Sequence, residues 1–416
     1  MRKRSNRSEQ IARMLLGNQG DVALDPMIQA LTLASGLLML GNIVMSPLMV
    51  DLARVYGVSG SRMGLTMTAY NAPTVVLMFL IGILADRIGR KPLLIIGMVL
   101  FTISGAAMAL VSNFSVSLVL RILQGVGFAL STPIITVIIG DRYHGGREAT
   151  AQGLRVSGNN FMSIIAPVFA SSLMLISWRF PFLLFLTLIP NILWIGITVP
   201  STPRSKPTSI GKYFSSMFKA IKNPLMLAVN ISVLIRFLSY FGFLTYISFM
   251  GKEGLGMSTM AVGIVIALKS IASLLGSTQT GRLSNRMHVA IVEANAFVLA
   301  GAGLLVIGLF PSTVSLVVGS LLYGIGDGIL NAVQKSLINT LSTQAIRGGA
   351  IAISTGIGNL GKSLAPPIMA LVLSFFGTEA IFTAGGILCG IAVLISLFLW
   401  RGMTHEDLHS ESGLSI

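Results

Sequence analysis

Polar and charged side chains recur at helical spacing inside runs of otherwise apolar residues, and these are the groups that could do chemistry. Tyr323, Asp327, Asn331 and Lys335 follow one another every four residues, which puts them on one helix face about three turns long. The same spacing aligns Lys269, Ser273 and Ser277; Thr355, Asn359 and Lys362; Arg236, Tyr240 and Phe243; Arg155, Asn159 and Ser163; and Arg121, Gln124, Phe128 and Thr132. Six basic residues lie in such runs (Arg121, Arg155, Arg236, Lys269, Lys335 and Lys362), against two acids, Asp327 and Glu293. Whether a carboxyl holds its proton in a partly dry cavity depends on the balance between desolvation and a neighbouring cation. Asp327 is therefore the first candidate for a group that takes up and releases a proton; the alternative is a permanent ion pair with Lys362 or Lys269. Glu293, near the inner end of its run, is a second candidate.

Other chemistry is poorly served. His144, His288, His405 and His409 all fall in expected loops or the tail, Cys389 has no second cysteine to pair with, and no Gly-rich loop ends in Gly-Lys-Ser/Thr. The expectation is a protein that is not an enzyme and uses no cofactor, metal or nucleotide.

The elements that must position these groups follow from composition. The chain has 416 residues, 53% of them hydrophobic and 10% charged, and a mean hydropathy of +0.83. A soluble domain carries about 25% charged residues, so this chain is expected to be an all-α integral membrane protein. A helix needs about 20 apolar residues to cross the hydrocarbon. Twelve such spans can be read, at 28–50, 62–84, 92–111, 115–139, 150–176, 180–199, 224–250, 257–280, 289–310, 312–340, 349–376 and 379–400. The net charge of +15 reflects placement, not nucleic acid: with both termini in the cytoplasm, 19 basic residues lie inside and four outside, the bias that orients membrane proteins. The basic N-terminus has no sustained apolar region and reads as no signal peptide.

The organisation expected is a cytoplasmic N-tail (1–25), a six-helix bundle (26–200), a cytoplasmic linker (201–223), a second six-helix bundle (224–400) and a cytoplasmic C-tail (401–416). Within the linker Ile210, Tyr213, Phe214, Met217, Phe218 and Ile221 keep helical spacing with Lys212, Lys219 and Lys222 off the stripe. That reads as an amphipathic helix on the inner leaflet, the alternative being a disordered linker. The two bundles repeat at an offset of 199 residues: Gly82-x-Leu84-x-Asp86-Arg87 recurs as Gly281-x-Leu283-x-Asn285-Arg286, Gly125 and Gly127 as Gly324 and Gly326, and Asn160, Ala166 and Pro167 as Asn359, Ala365 and Pro366. Six spans separate equivalent points, so the copies run the same way across the membrane, a parallel repeat found in transporters with the substrate site between the halves.

The loop after the second span reads Gly82-Ile-Leu-Ala-Asp86-Arg87-Ile-Gly89-Arg90-Lys91-Pro92. Gly82 would admit a close helix approach, Gly89 a tight turn, Asp86 a facing helix N-terminus, and Arg90 would reach Asp141. This loop and the twelve spans resemble the major facilitator superfamily, in which such a loop latches one side of the protein shut. Leu118-x-x-Arg121-x-x-Gln124-Gly125 resembles the fourth-span signature of its twelve-helix drug:proton antiporters, where the arginine is associated with proton coupling. The fifth-span glycine series of that group is only partly kept: Gly153 and Pro167 fit, while Met162, Ala166, Ala170 and Ser171 stand where glycines would.

The resemblance implies a secondary active transporter in the plasma or inner membrane, probing its substrate from either side by alternating access, with protons and a small molecule as partners and a monomeric state. Gly82, Asp86, Arg87, Gly89, Arg90 and Asp141 would form the latch and Asp327 and Arg121 the coupling groups. The cavity would be lined from Asn42, Tyr70, Gln124, Arg155, Asn159, Asn160, Arg236, Tyr240, Lys269, Tyr323, Asn331, Asn359 and Lys362. Resemblance points to drug efflux, whereas the cationic excess points to an organic anion; a non-transporting membrane sensor is the remaining alternative. Asp86→Asn is expected to lower transport while leaving expression intact, and unchanged transport in that variant would remove the latch role.

Overall fold

The computed structural model describes residues 20–77, 80–200, 223–342 and 347–412. The basic N-tail and the linker residues 201–222 expected to form an amphipathic helix lie outside the described residues. Among the described residues the secondary structure is helical. Ten helices are long and apolar enough to cross a membrane: Pro26–Ile43, Arg90–Leu110, Phe114–Arg142, Phe180–Thr198, Pro224–Gly254, Thr259–Ser284, Val289–Leu309, Thr313–Thr340, Arg347–Phe376 and Thr378–Thr404. The fifth expected span is a continuous 29-residue helix, Gly146–Met174, long enough to cross but carrying Arg155, Asn159 and Asn160 on its length. The second is shorter pieces, Gly60–Met63, Leu65–Leu77 and Ile81–Ile88. The arrangement is consistent with twelve spans.

Helix starts follow local chemistry. An N-cap side chain that accepts a backbone N–H satisfies one of the four donors a helix leaves open. Asp25 accepts from Met27 N at 2.8 Å before Pro26, Asn113 from Val116 N at 3.1 Å, and Asn223 from Leu225 N at 2.8 Å before Pro224. Ser258 accepts from Ala261 N at 3.1 Å and Ser312 from Ser315 N at 3.1 Å. Gly89 turns the chain between Ile81–Ile88 and Arg90–Ala107 at φ +97°, a conformation that favours glycine.

The chain forms two compact units, Met1–Met45 with Val76–Pro207, and Ser46–Val75 with Thr208–Ile416. The second unit thus includes residues 46–75, which the sequence places in the first bundle. Inside it, Ser46 Oγ donates to the Leu244 carbonyl, Ser248 Oγ donates to the Pro47 carbonyl at 3.0 Å, and Asp51 bonds Lys252. These are contacts between segments about 200 residues apart, and no hydropathy pattern carries them.

The internal repeat is visible in the packing of each unit. A Cβ at Gly127 would lie 2.6 Å from the Gly97 carbonyl, and one at Gly326 would lie 2.6 Å from the Ala296 carbonyl. The fourth expected span therefore meets the third, and the tenth meets the ninth, at the same repeat position and at backbone distance. Small residues at such interfaces let helices associate in lipid, where burial of apolar surface gives no advantage. Gly82 does not share this role: it is exposed and a Cβ there would meet nothing within 4 Å. The tightest approach is at Gly328, where a Cβ would fall 1.9 Å from the Ser273 carbonyl. Gly328→Ala must push two backbones apart and is expected to cost about 1–3 kcal/mol, read as a lower Tm of the detergent-purified protein; an unchanged Tm would refute the packing assignment.

Candidate functional site

In the second unit the helix Thr313–Thr340 carries Asp327 to the centre of a charged cluster. Asp327 is 4% exposed. Its Oδ1 accepts from Arg236 Nε at 3.0 Å and its Oδ2 from Lys269 Nζ at 2.6 Å. One carboxylate is thus held between cations from two other helices, Pro224–Phe249 and Thr259–Ser284. Lys269 Nζ also stands 4.3 Å from the Tyr240 ring centroid and 5.4 Å from that of Tyr323, within the range where a ring face attracts a cation. Of the two lysines expected beside Asp327, Lys269 makes the ion pair. Lys362 instead donates to Asn359 Oδ1 at 3.0 Å and lies 4.9 Å from the Phe237 ring.

Next to this cluster a cleft of about 340 Å³ is lined by Arg236, Lys335 and Lys362, by Asn331, Gln334, Thr355 and Asn359, and by apolar residues that include Phe237. Arg236 joins cluster and cleft, since its guanidinium also reaches Asn331 Oδ1 at 3.5 Å. Asp327 is not among the lining residues. The cleft therefore presents ammonium, guanidinium and amide groups beside the Phe237 ring, while the Asp327 carboxylate stays off the lining, bonded to Arg236 and Lys269. Such a surface suits a small molecule that carries negative charge.

In the first unit Arg121 is fully buried and donates to the Gly41 carbonyl at 2.8 Å and to Gln124 Oε1 at 2.6 Å. Gly41 lies in Leu40–Ile43, one of three successive helical pieces that make up the first expected span, and Asn42 is beside it, half-buried. Arg155 donates to Gln152 Oε1 at 2.9 Å and reaches Ser35 Oγ at 3.4 Å; Ser35 in turn donates to Asn159 Oδ1 at 2.8 Å. Arg155 and Asn159 are thus joined through Ser35. Asn160, the next residue, is half-buried. Tyr70 is fully buried in the helix Leu65–Leu77, within the other unit's set of residues apart from its last two.

Of the expected latch residues, Arg90 and Asp141 form an ion pair. Asp86 is half-buried and Arg87 exposed near the end of Ile81–Ile88. Close by in sequence, the Tyr143 phenol donates to the Asp25 carboxylate. Burial, and then that hydrogen bond, push the phenol up to about 12.

Sequence reasoning missed the Asp51 set and, although it named Glu293, the partners that Glu293 gathers. Asp51 accepts from Lys252 Nζ at 2.5 Å and from Thr259 Oγ1 at 2.6 Å. Glu293 collects Ser232, Gln334 and Ser396 from three helices. A one-in-four polar rhythm flags residues that share a helix, and these sets draw one residue from each of several.

Because Asp327 neutralises two buried cations, removing its charge leaves both without a counter-charge. Asp327→Asn is expected to cost on the order of 3 kcal/mol, measured as a lower Tm in detergent. A variant as stable as the wild type would show that the ion pairs contribute no net stability.

The comparisons with known proteins agree with this architecture. The family model described as Major Facilitator Superfamily matches residues 31–332 and 294–413. The chain is 26% identical over 392 residues to a multidrug efflux protein, YfmO, of Bacillus subtilis (strain 168), covering 89% of this chain and 92% of that protein. It is 25% identical over 376 residues to the bacillibactin exporter of the same organism, covering 86% and 92%. Among solved structures, a bacterial homologue of the human lysosomal transporter Spinster, inward-facing and occupied, superposes with a TM-score of 0.77 at 17% identity, over 90% of this chain and 96% of that one. With the family matched along nearly its whole length, and with helices built to cross a membrane many times, the chain is a multi-pass membrane transporter, not an enzyme, and it belongs to the Major Facilitator Superfamily.

Proposed function

We propose that this transporter is an exporter that exchanges protons for a small drug-like or metabolite substrate by alternating access, and that the substrate carries negative charge. The observation that carries the reading is the cleft of about 340 Å³ whose charged lining is Arg236, Lys335 and Lys362. A volume of that order is at the lower end of the range for small-molecule sites. An anion entering it meets cations and amide donors, and the Phe237 face can pack against an apolar body. A lipophilic cation would meet like charges with Asp327 already committed to Arg236 and Lys269. The names of the two Bacillus relatives support export as the direction. The protein would lie in the plasma or inner membrane with both termini cytoplasmic, the orientation set by its basic loops, and would work as a monomer.

The negative charge of the substrate also gives Arg236 a role at the border of cluster and cleft. It bonds Asp327 on one side and lines the substrate's space on the other, so an arriving anion competes with Asp327 for the same guanidinium. Arg121 would serve coupling from the other unit by holding the Gly41 carbonyl and Gln124 in one arrangement.

The test is flux in proteoliposomes under an imposed pH gradient. A radiolabelled naphthalenesulfonate is the anionic probe, because it stays charged at every pH used, and ethidium is the cationic one. Naphthalenesulfonate is expected to accumulate in wild-type vesicles and to lose most of that accumulation with Lys362→Gln. Ethidium flux in its place, indifferent to Lys362→Gln, would overturn the anionic substrate. Flux of either probe that ignores the pH gradient would overturn proton coupling.

A further inference from the structure

Glu293 is fully buried in the helix Val289–Leu309, and its partners come from three other helices. Ser232 Oγ is 2.7 Å from Oε1, Gln334 Nε2 is 3.2 Å from the same oxygen, and Ser396 Oγ is 3.1 Å from Oε2. All three are neutral. The charged groups of the packed helices are engaged elsewhere or lie at helix ends. Arg236 is bonded to Asp327, as is Lys269; Lys335 lines the cleft; Glu379, Arg401 and Arg282 are exposed. Among the described residues Glu293 takes part in no ion pair.

Counting hydrogens decides the protonation state that fits. Ser232 Oγ lies 2.8 Å from the Val229 carbonyl as well as 2.7 Å from Glu293 Oε1. Ser396 Oγ lies 2.9 Å from the Ala392 carbonyl as well as 3.1 Å from Glu293 Oε2. Each hydroxyl has one hydrogen to give, so four O···O contacts share two hydrogens. Serines inside helices commonly give theirs to the carbonyl three or four residues back. A carboxylate can supply nothing to the remaining two contacts. A carboxylic acid supplies one hydrogen, so that Glu293 donates to one serine oxygen while that serine donates to its own helix carbonyl.

Gln334 links this pocket to the substrate's space. Its Nε2 is 3.2 Å from both Ser232 Oγ and Glu293 Oε1, its Oε1 is buried with no hydrogen-bond partner among the described residues, and the residue lines the 340 Å³ cleft. One side chain thus separates the cleft from the carboxyl, and it has an acceptor unused.

From this geometry we infer that Glu293 is a protonated carboxylic acid and the group that carries the transported proton, with Gln334 relaying between it and the cleft. This rests on the proton-coupled reading above and gives Asp327 the separate task of holding Arg236 and Lys269. Exchange requires that proton and substrate alternate. Substrate that engages Gln334 from the cytoplasmic side has to be matched by release of the Glu293 proton through Gln334 to that side, and a proton taken up after the substrate has left on the other side restores the acid.

Two measurements on the full-length protein test it. Infrared difference spectra of detergent-purified wild type are expected to show a protonated-carboxyl C=O band at neutral pH that Glu293→Gln removes. In proteoliposomes, Glu293→Gln is expected to lose pH-driven accumulation of naphthalenesulfonate while retaining exchange of labelled for unlabelled substrate, and Glu293→Asp, which keeps a titratable group, should recover part of the accumulation. A spectrum unchanged by Glu293→Gln, full accumulation in that variant, or loss of exchange together with accumulation in both variants would overturn the assignment. If the band is present but wild type itself ignores the pH gradient, proton coupling of the whole protein falls, and the acid is a structural donor and no carrier.

Discussion

Hydrocarbon cannot solvate a charge, so every ionisable group inside this protein must take its solvation from other parts of the chain. That requirement fixes where the helices can lie relative to one another within each unit. Asp327 needs Arg236 and Lys269 within bonding distance, which ties three helices at one depth. Arg121 finds a backbone carbonyl and a glutamine amide oxygen, which ties the fourth expected span to the first. Glu293 meets the same requirement with hydroxyl and amide groups alone, and the result is a pocket that fits a neutral acid. The close glycine contacts then set how near the backbones must come for these side chains to reach.

The two repeats share a scaffold and divide the chemistry unequally. Gly127 and Gly326 occupy equivalent positions and make equivalent backbone approaches. The residue equivalent to Asp327 at the 199-residue offset is Phe128, and the one equivalent to Arg121 is Ser320. Packing positions have been kept alike while charged positions have not. A symmetric scaffold thus carries a cationic cleft with an ion-paired acid in one unit, and a hydrogen-bonded arginine without that acid in the other.

Much of this was legible in the residue order. The length and composition of the apolar runs gave the helices, because a crossing helix has to satisfy its own backbone. The four-residue rhythm through Asp327 gave one face of the cluster, whereas the caps at Asn113, Asn223, Ser258 and Ser312 went unread. The partner of Asp327 was harder to read. Periodicity puts Lys269 and Lys362 on polar faces of two helices, but which of them meets Asp327 depends on the axial register between helices, and that is set by side-chain packing over many residues. Gly82 shows the opposite case: a glycine in a family-like motif looked like a packing residue and is open. The Glu293 pocket was hidden for a geometric reason, since Ser232, Gln334 and Ser396 are unremarkable on their own helices and become a site only when those helices meet.

The ion-paired acid has a consequence for how the protein enters the membrane. Synthesis runs from the N-terminus, so Arg236 and Lys269 emerge well before Asp327. Each cation is therefore inserted without the carboxylate that later balances it, at a cost on translocon scales of about 2.5–3.5 kcal/mol for a charge at a helix centre. The apolar residues around them, including the run Phe241–Phe249 that is buried almost throughout, have to carry those helices in alone. Arg121 faces no such wait, because the Gly41 carbonyl is made first. The late arrival of Asp327 means that Pro224–Phe249 and Thr259–Ser284 reach their balanced arrangement only once Thr313–Thr340 has been made, with an interval before it in which two cations lack their counter-charge.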